Sequence, residues 1–208
     1  MHKRQRGCKK FGAIILFEEN MLIDAFDFDG TLYRGETTRD FYWFCVLRRP
    51  YLILLLPYQL IGLLLGKCGV FSFKKGKTAF LVFARFVPLQ RYVQMFWLAQ
   101  TSKGKLAAWF SPPQIPFFVI SASPAILIEP ICKQLGAYAV IATQTNAQMN
   151  IIGQNCKGAE KVVRLRQHLP NCTIRSMYTD SLKHDAPLCN IAQAVYHVNK
   201  RGELRQVR

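Results

Sequence analysis

The chain has 208 residues, half of them apolar, and a formal net charge of +16. This length and apolar content suit one packed domain with a modest insertion and exclude a disordered or collagen-like chain. Seven cysteines without a CxxC pair and four histidines without ligand spacing signal neither a zinc module nor a disulfide framework, and fit a reducing cytoplasm.

Residues 1–20 read as a basic extension ahead of the fold. Five Lys or Arg fall in the first ten residues, and a short apolar patch covers 12–17. Glu18-Glu19-Asn20 stands where a signal peptide would carry small residues for cleavage, and the patch is too short for one. The segment is either an addition upstream of Met21 or a basic arm for anionic lipid.

Residues 21–26 are an apolar run and predict a buried strand. Asp27-Phe28-Asp29-Gly30-Thr31-Leu32 follows it. Two carboxylates two residues apart point the same way if the strand period persists. Their oxygens suit a hard cation. One carboxylate can attack phosphorus while the other shuttles a proton to the leaving group.

About eighty residues then separate this motif from the next strand. Thr37-Thr38-Arg39-Asp40 predicts a helix start, and Phe41 to Leu47 is apolar and aromatic. The run 51–65 is almost wholly apolar, with Pro57 inside it. It falls short of the about 20 residues that a membrane span needs. A single crossing there would also put Asp27 and Asp180 on opposite sides of a membrane. A buried cap helix kinked at Pro57, or a monotopic anchor at a bilayer surface, are the two readings left. Arg48, Arg49, Lys67, Lys74, Lys75 and Lys77 flank the run with positive charge only. Two further helices are predicted over 73–86 and 89–110.

The run 116–120 predicts a second buried strand, ending in Ser121-Ala122-Ser123-Pro124. Ser123 reads as a helix N-cap, with Pro124 at the first helical position. Asn155-Cys156-Lys157-Gly158-Ala159-Glu160-Lys161 offers two lysines four apart, which share a face if one helix includes both. Residues 173–178 predict another strand, leading into Thr179-Asp180-Ser181-Leu182-Lys183-His184-Asp185.

These four motifs, in this order and each after an apolar strand or at a helix start, resemble the haloacid dehalogenase superfamily over roughly residues 21–202. DFDGTL matches its Asp-x-Asp-x-Thr motif. Ser121 matches its second-motif hydroxyl, which with nearby backbone N–H groups, including that of Ala122, holds a phosphate oxygen. The third motif is a lysine. Cys-x-Gly-x-x-Lys selects Lys161, whereas the Asn-x-Lys-Gly of phosphoserine phosphatases would select Lys157. Asp180 and Asp185 match the fourth motif, with Thr179 in place of its usual glycine.

The resemblance implies an α/β fold: a three-layer Rossmannoid core with a mainly parallel sheet, formed by 21–36 and 113–208. A helical cap of the first subclass is inserted at 37–112. It implies a phosphomonoester hydrolase in which Asp27 attacks, Asp29 serves as acid and base, and Ser121, Lys161 and Asp185 complete the charge cradle. Asp27, the Asp29 carbonyl and Asp180 are the implied ligands of Mg²⁺. Within the superfamily the chain is similar to subfamily IB phosphatases, the group of phosphatidylglycerophosphatase C and the phosphoserine phosphatases. The first suggests a lipid phosphate substrate at the inner face of the cytoplasmic membrane. Glu36 stands where phosphoserine phosphatases place a glutamate that meets the substrate amine, and it supports the alternative of a soluble small metabolite. A binding protein that has lost catalysis is the third reading, and the intact motif set opposes it.

The net charge favours an anionic partner, with an anionic membrane surface as the expectation. No RNP or zinc-finger motif is present, and the aromatics cluster in the apolar segment without interleaving with basic residues, so nucleic acid is not expected. No obligate protein partner is signalled.

Overall fold

The computed structural model describes residues 21–70 and 72–208, so the basic extension 1–20 lies outside the described residues. Six strands form one sheet in the order β3-β2-β1-β4-β5-β6. They are β1 (Leu22–Phe26), β2 (Phe117–Pro124), β3 (Ala139–Thr143), β4 (Thr173–Thr179), β5 (Ala192–Val198) and β6 (Leu204–Gln206). All pair in parallel except β6, which runs antiparallel to β5. The chain leaves β1 for β2 and β3 on one side, then returns to β4 on the other. The ends of β1, β2 and β4 therefore meet at a topological switch point, where open α/β sheets hold ligands.

Strand alternation builds a layer on each face. Ile23, Ala25, Phe118 and Ile120 pack with Leu165 and Leu188, from α6 (Ala159–His168) and α7 (Ala186–Ile191). Phe26, Phe117 and Val119 pack on the opposite face with Leu127 and Ile128, from α5 (Ala125–Gln134). Asp24 is the exception within β1. It is fully buried, and both its oxygens accept from Arg175 on β4, at 3.0 and 2.6 Å.

The helices between β1 and β2 are α1 (Thr37–Arg48), α2 (Leu56–Lys67), α3 (Phe73–Leu81) and α4 (Leu89–Ser102), with 3-10 turns at Pro50–Leu55 and Val82–Phe86. Phe41, Phe44, Phe83, Phe96 and Trp97 interlock and continue the core layer that holds Phe26 and Leu127. The helix expected over 73–86 tightens to 3-10 at Val82. The one expected over 89–110 stops at Ser102, because Gly104 takes a left-handed φ of +63°. Pro57 falls in the first turn of α2, where its missing N–H costs nothing, so it marks the change from 3-10 to α geometry and not a kink within a helix.

α2 is not a buried cap helix. Over Pro50–Lys67, which is long and apolar enough to cross a membrane by length and composition alone, only 17% is buried. Its inner face is pressed against α3 by two glycines. A Cβ on Gly62 would sit 2.5 Å from Ala79 Cβ, and one on Gly76 would sit 2.8 Å from the Gly62 carbonyl oxygen. In an open helix Gly→Ala stabilises. Here Gly76→Ala is expected to lower the unfolding free energy by about 1–3 kcal/mol, the cost of overpacking, read as a lower urea midpoint.

Candidate active site

The loop after β1, the ends of β2 and β4, the start of α6 and the inner side of α1–α3 enclose a cavity of about 360 Å³. Asp27, Asp29, Glu36, Ser121, Ala122, Lys157, Lys161, Asp180 and Asp185 all line it, so every site residue expected from the sequence reaches this cavity. Lys161 is almost fully buried, with Nζ 2.8 Å from Asp27 Oδ1 and 2.6 Å from Asp185 Oδ1. Lys157 precedes α6 and is exposed at the rim, so the two lysines do not share a helical face. Thr179, the departure from the expected glycine, has a local use. Its hydroxyl donates to Asp185 Oδ2 at 2.8 Å and accepts from Ser181 N at 2.9 Å.

Asp29 is held on both oxygens. Oδ1 accepts from Thr37 N at 2.8 Å and from the Thr37 hydroxyl, and Oδ2 accepts from the Ser123 hydroxyl. Asp29 thus caps the N-terminus of α1 from outside the helix. Ser123 is therefore not the cap of α5. The cap position belongs to Pro124, without a side-chain bond, and Ser123 is turned into the site. Its backbone N–H donates to Ser121 Oγ at 3.1 Å.

Lys77, read from the sequence as one of the positive charges flanking the run 51–65, turns inward from α3. Its Nζ donates to the Ala122 carbonyl at 2.6 Å and to Asn155 Oδ1 at 2.9 Å. The Thr143 hydroxyl lies 2.7 Å from the same carbonyl and 2.9 Å from the same Asn155 oxygen. His184 also reaches the cavity.

The model for haloacid dehalogenase-like hydrolases matches residues 25–189. The chain belongs to the haloacid dehalogenase-like hydrolases. The protein CicA of Caulobacter vibrioides is 25% identical over 177 residues, covering 77% of this chain and 78% of that protein. Among solved structures, a Bordetella pertussis Tohama I protein of unknown function superposes with a TM-score of 0.58 at 19% identity, covering 82% of this chain and 86% of that one. An unliganded probable phosphoserine phosphatase from Vibrio cholerae gives 0.54 at 10% identity, over 85% of this chain and 55% of that one. These likenesses confirm the expected α/β fold with its mostly parallel sheet.

As a haloacid dehalogenase-like hydrolase the chain is an enzyme, and its cavity is electrostatically crowded. Burial pushes the Asp27 carboxyl up to about 7, with the Lys161 ammonium pulling against it. Burial also raises Asp29, opposed by the bonds from Ser123 and Thr37. Asp180 is raised by burial and by Asp185, and Glu36 by burial and by Asp29. Burial lowers the Lys77 ammonium to about 8, with Asp29 and Glu36 acting in the other direction. For Lys161, burial is outweighed by Asp27 and Asp185, which raise it.

The donor set fits the Mg²⁺ that the family implies. Among the described residues no three metal-binding side chains form a ready cage. Asp27 and Asp180 with one backbone carbonyl offer hard oxygens only, which suits an ion that keeps several waters. A Cβ on Gly30 would lie 2.3 Å from Asp180 Oδ2, so only glycine admits that carboxylate against the β1 loop. The Gly30 φ of +74° agrees.

The lysines should separate by stability. Lys161→Ala leaves two buried carboxylates without their cation and is expected to cost about 3–5 kcal/mol. Lys157→Ala, at an exposed position, is expected to stay within about 0.5 kcal/mol of wild type. Denaturant unfolding of both variants measures the difference.

Proposed function

We propose that this chain is a phosphomonoester hydrolase that works through an aspartyl-phosphate on Asp27. The observation that carries the reading is the contact of Lys161 with Asp27 and Asp185, in one cavity with Asp29 and Ser121. Asp27 attacks phosphorus in line, and the phosphorus–oxygen bond to the leaving group breaks. Asp29, whose carboxyl is raised, gives its proton to the leaving oxygen and then takes one from the water that hydrolyses the phosphoenzyme. Ser121 and Lys161 hold the phosphoryl oxygens, and Asp185 keeps Lys161 in place. Asp27, the Asp29 carbonyl and Asp180 would hold Mg²⁺, which would supply charge neutralisation.

Asp27→Asn is expected to abolish turnover while leaving the fold intact, because an amide cannot form the phosphoenzyme. A chelator should remove wild-type activity, and added Mg²⁺ should restore it. Wild-type turnover in Asp27→Asn, or indifference to the chelator, refutes the mechanism. Hydrolysis of a generic aryl phosphate with circular dichroism reports both.

For the substrate we favour a lipid phosphate, met at the inner face of the cytoplasmic membrane. Leu63 from α2 and Phe80 from α3 form an apolar wall of the cavity. On the same helical unit Leu54, Ile61 and Leu64 are 78, 58 and 60% exposed. An apolar face of this kind meets a partner or a bilayer. Basic residues beside it attract anionic headgroups by about 1 kcal/mol each near the surface. A monotopic contact keeps all four motifs on one side of the membrane, whereas a single crossing by Pro50–Lys67 would split the assembled site. Glu36 in the cavity supports the second reading, a soluble amine-bearing phosphomonoester.

Leu55 and Leu56 are half-buried against the core, so they test packing and not the surface. Replacing Leu54, Ile61 and Leu64 with Gln is expected to abolish sedimentation with anionic vesicles. It should cut action on a vesicle-borne phosphatidyl phosphomonoester at least about tenfold, with soluble aryl phosphate hydrolysis kept within about twofold. Equal loss on both substrates, with wild-type protein that ignores vesicles, favours the soluble reading.

A further inference from the structure

We infer that Lys77 is a positioning residue of the catalytic cycle: from the inserted helices it fixes the peptide that aims Ser121 at the phosphoryl group, and so couples the inserted helices to the phosphate cradle. The inference rests on the phosphatase reading for its chemistry, though not for its geometry.

The connection can be followed atom by atom. Lys77 Nζ donates to the Ala122 carbonyl at 2.6 Å. That carbonyl belongs to the peptide joining Ala122 to Ser123, and in a trans peptide C=O and N–H point opposite ways. The N–H of the same peptide donates to Ser121 Oγ at 3.1 Å. With one lone pair engaged, the Ser121 hydroxyl still has its own proton to donate, which is the polarity needed to hold an anionic phosphoryl oxygen. The peptide also carries Ser123, whose hydroxyl bonds Asp29. Tilting the peptide therefore disturbs the phosphate donor and the proton shuttle together.

Lys77 makes a second bond, to Asn155 Oδ1 at 2.9 Å, on the loop that leads to Lys161. Thr143 Oγ1 accepts from Cys156 N at 3.1 Å and ties the same loop to β3. An ammonium has three donors, and two are accounted for. Burying a lysine is costly without such partners, so this side chain does not belong to the solvated face suggested by Lys74 and Lys75. Gly62 and Gly76 pack α2 closely against α3, the helix that carries Lys77.

The test is a double-mutant cycle with hydrogen exchange. Lys77→Met keeps the stem and removes the donor. It is expected to lower kcat on a soluble aryl phosphate roughly 10²-fold, as for loss of one transition-state donor. It should weaken inorganic phosphate binding about tenfold by calorimetry. In a Ser121→Ala background the same change should cost less than about threefold, since the route through Ser121 is already gone. Equal losses in both backgrounds would show a merely structural role and overturn the inference. Independently of turnover, Lys77→Met should speed amide exchange at least about tenfold in both 73–81 and 155–157, with the sheet unaffected. Unchanged exchange in both segments also overturns it. Wild-type protein that neither hydrolyses phosphomonoesters nor binds phosphate refutes the phosphatase reading instead, and the exchange comparison still decides whether Lys77 is the latch.

Discussion

The buried triad of Asp27, Lys161 and Asp185 is the constraint on which the remaining architecture depends. Its members come from the end of β1, the first turn of α6 and the residue before α7. Any one of them alone would be an uncompensated charge in the interior, and the desolvation of all three is offset only when they meet at hydrogen-bond distance. They meet because β4 lies beside β1, and because α6, on the crossover from β3 to β4, presents its N-terminal turn to the same end of the sheet. The triad thus requires the sheet order, and the sheet order creates the switch point where the cavity opens. Two carboxylates around one ammonium leave the triad with one net negative charge when all three are ionised.

The inserted helices take part in the site as ligands and are not a lid over a finished one. Thr37 at the start of α1 holds one oxygen of Asp29, and Lys77 on α3 holds the peptide after Ser121. In the reaction proposed above, Asp29 and Ser121 are the proton shuttle and the phosphate donor. Under that proposal, closure over the cavity and completion of the cradle would be one event.

The parts legible in the sequence are those whose chemistry is contiguous along the chain. DFDGTL after an apolar run needs no partner to be read as a strand end bearing carboxylates, and the same holds for the runs that end at Ser121 and Asp180. The α/β class was implied by the family resemblance that these motifs carry. Illegible were the residues whose partners lie far away in sequence and whose local setting imitates something ordinary. Ser123 before Pro124 looks like a helix cap, but its hydroxyl is taken by Asp29, 94 residues away. Lys77 stands among lysines that look like a solvated face, and its carbonyl partner is 45 residues away. Thr179 looked like a loss from the motif, yet its hydroxyl binds Asp185. The early stop of α4 at Ser102 was written locally in Lys103-Gly104, where apolar periodicity into Trp109 and Phe110 masked it.

The exposed apolar face and the catalytic latch belong to one rigid element, and this bears on how substrate choice would be made. Gly62 and Gly76 leave no room between α2 and α3, so the two helices cannot slide independently without opening a gap in the packing. Leu63 and Phe80 line the cavity from this unit, while Leu54, Ile61 and Leu64 face outward on it. A surface that orders the outer face would therefore order Lys77 as well, and through it the peptide behind Ser121. A ligand shifts a conformational equilibrium only by its differential affinity for the two states. A bilayer bound on α2 has such a difference only if cap closure alters the apolar area presented. That condition makes the α2–α3 pair, and not the chemistry at Asp27, the element in which discrimination between a lipid phosphate and a soluble one would reside.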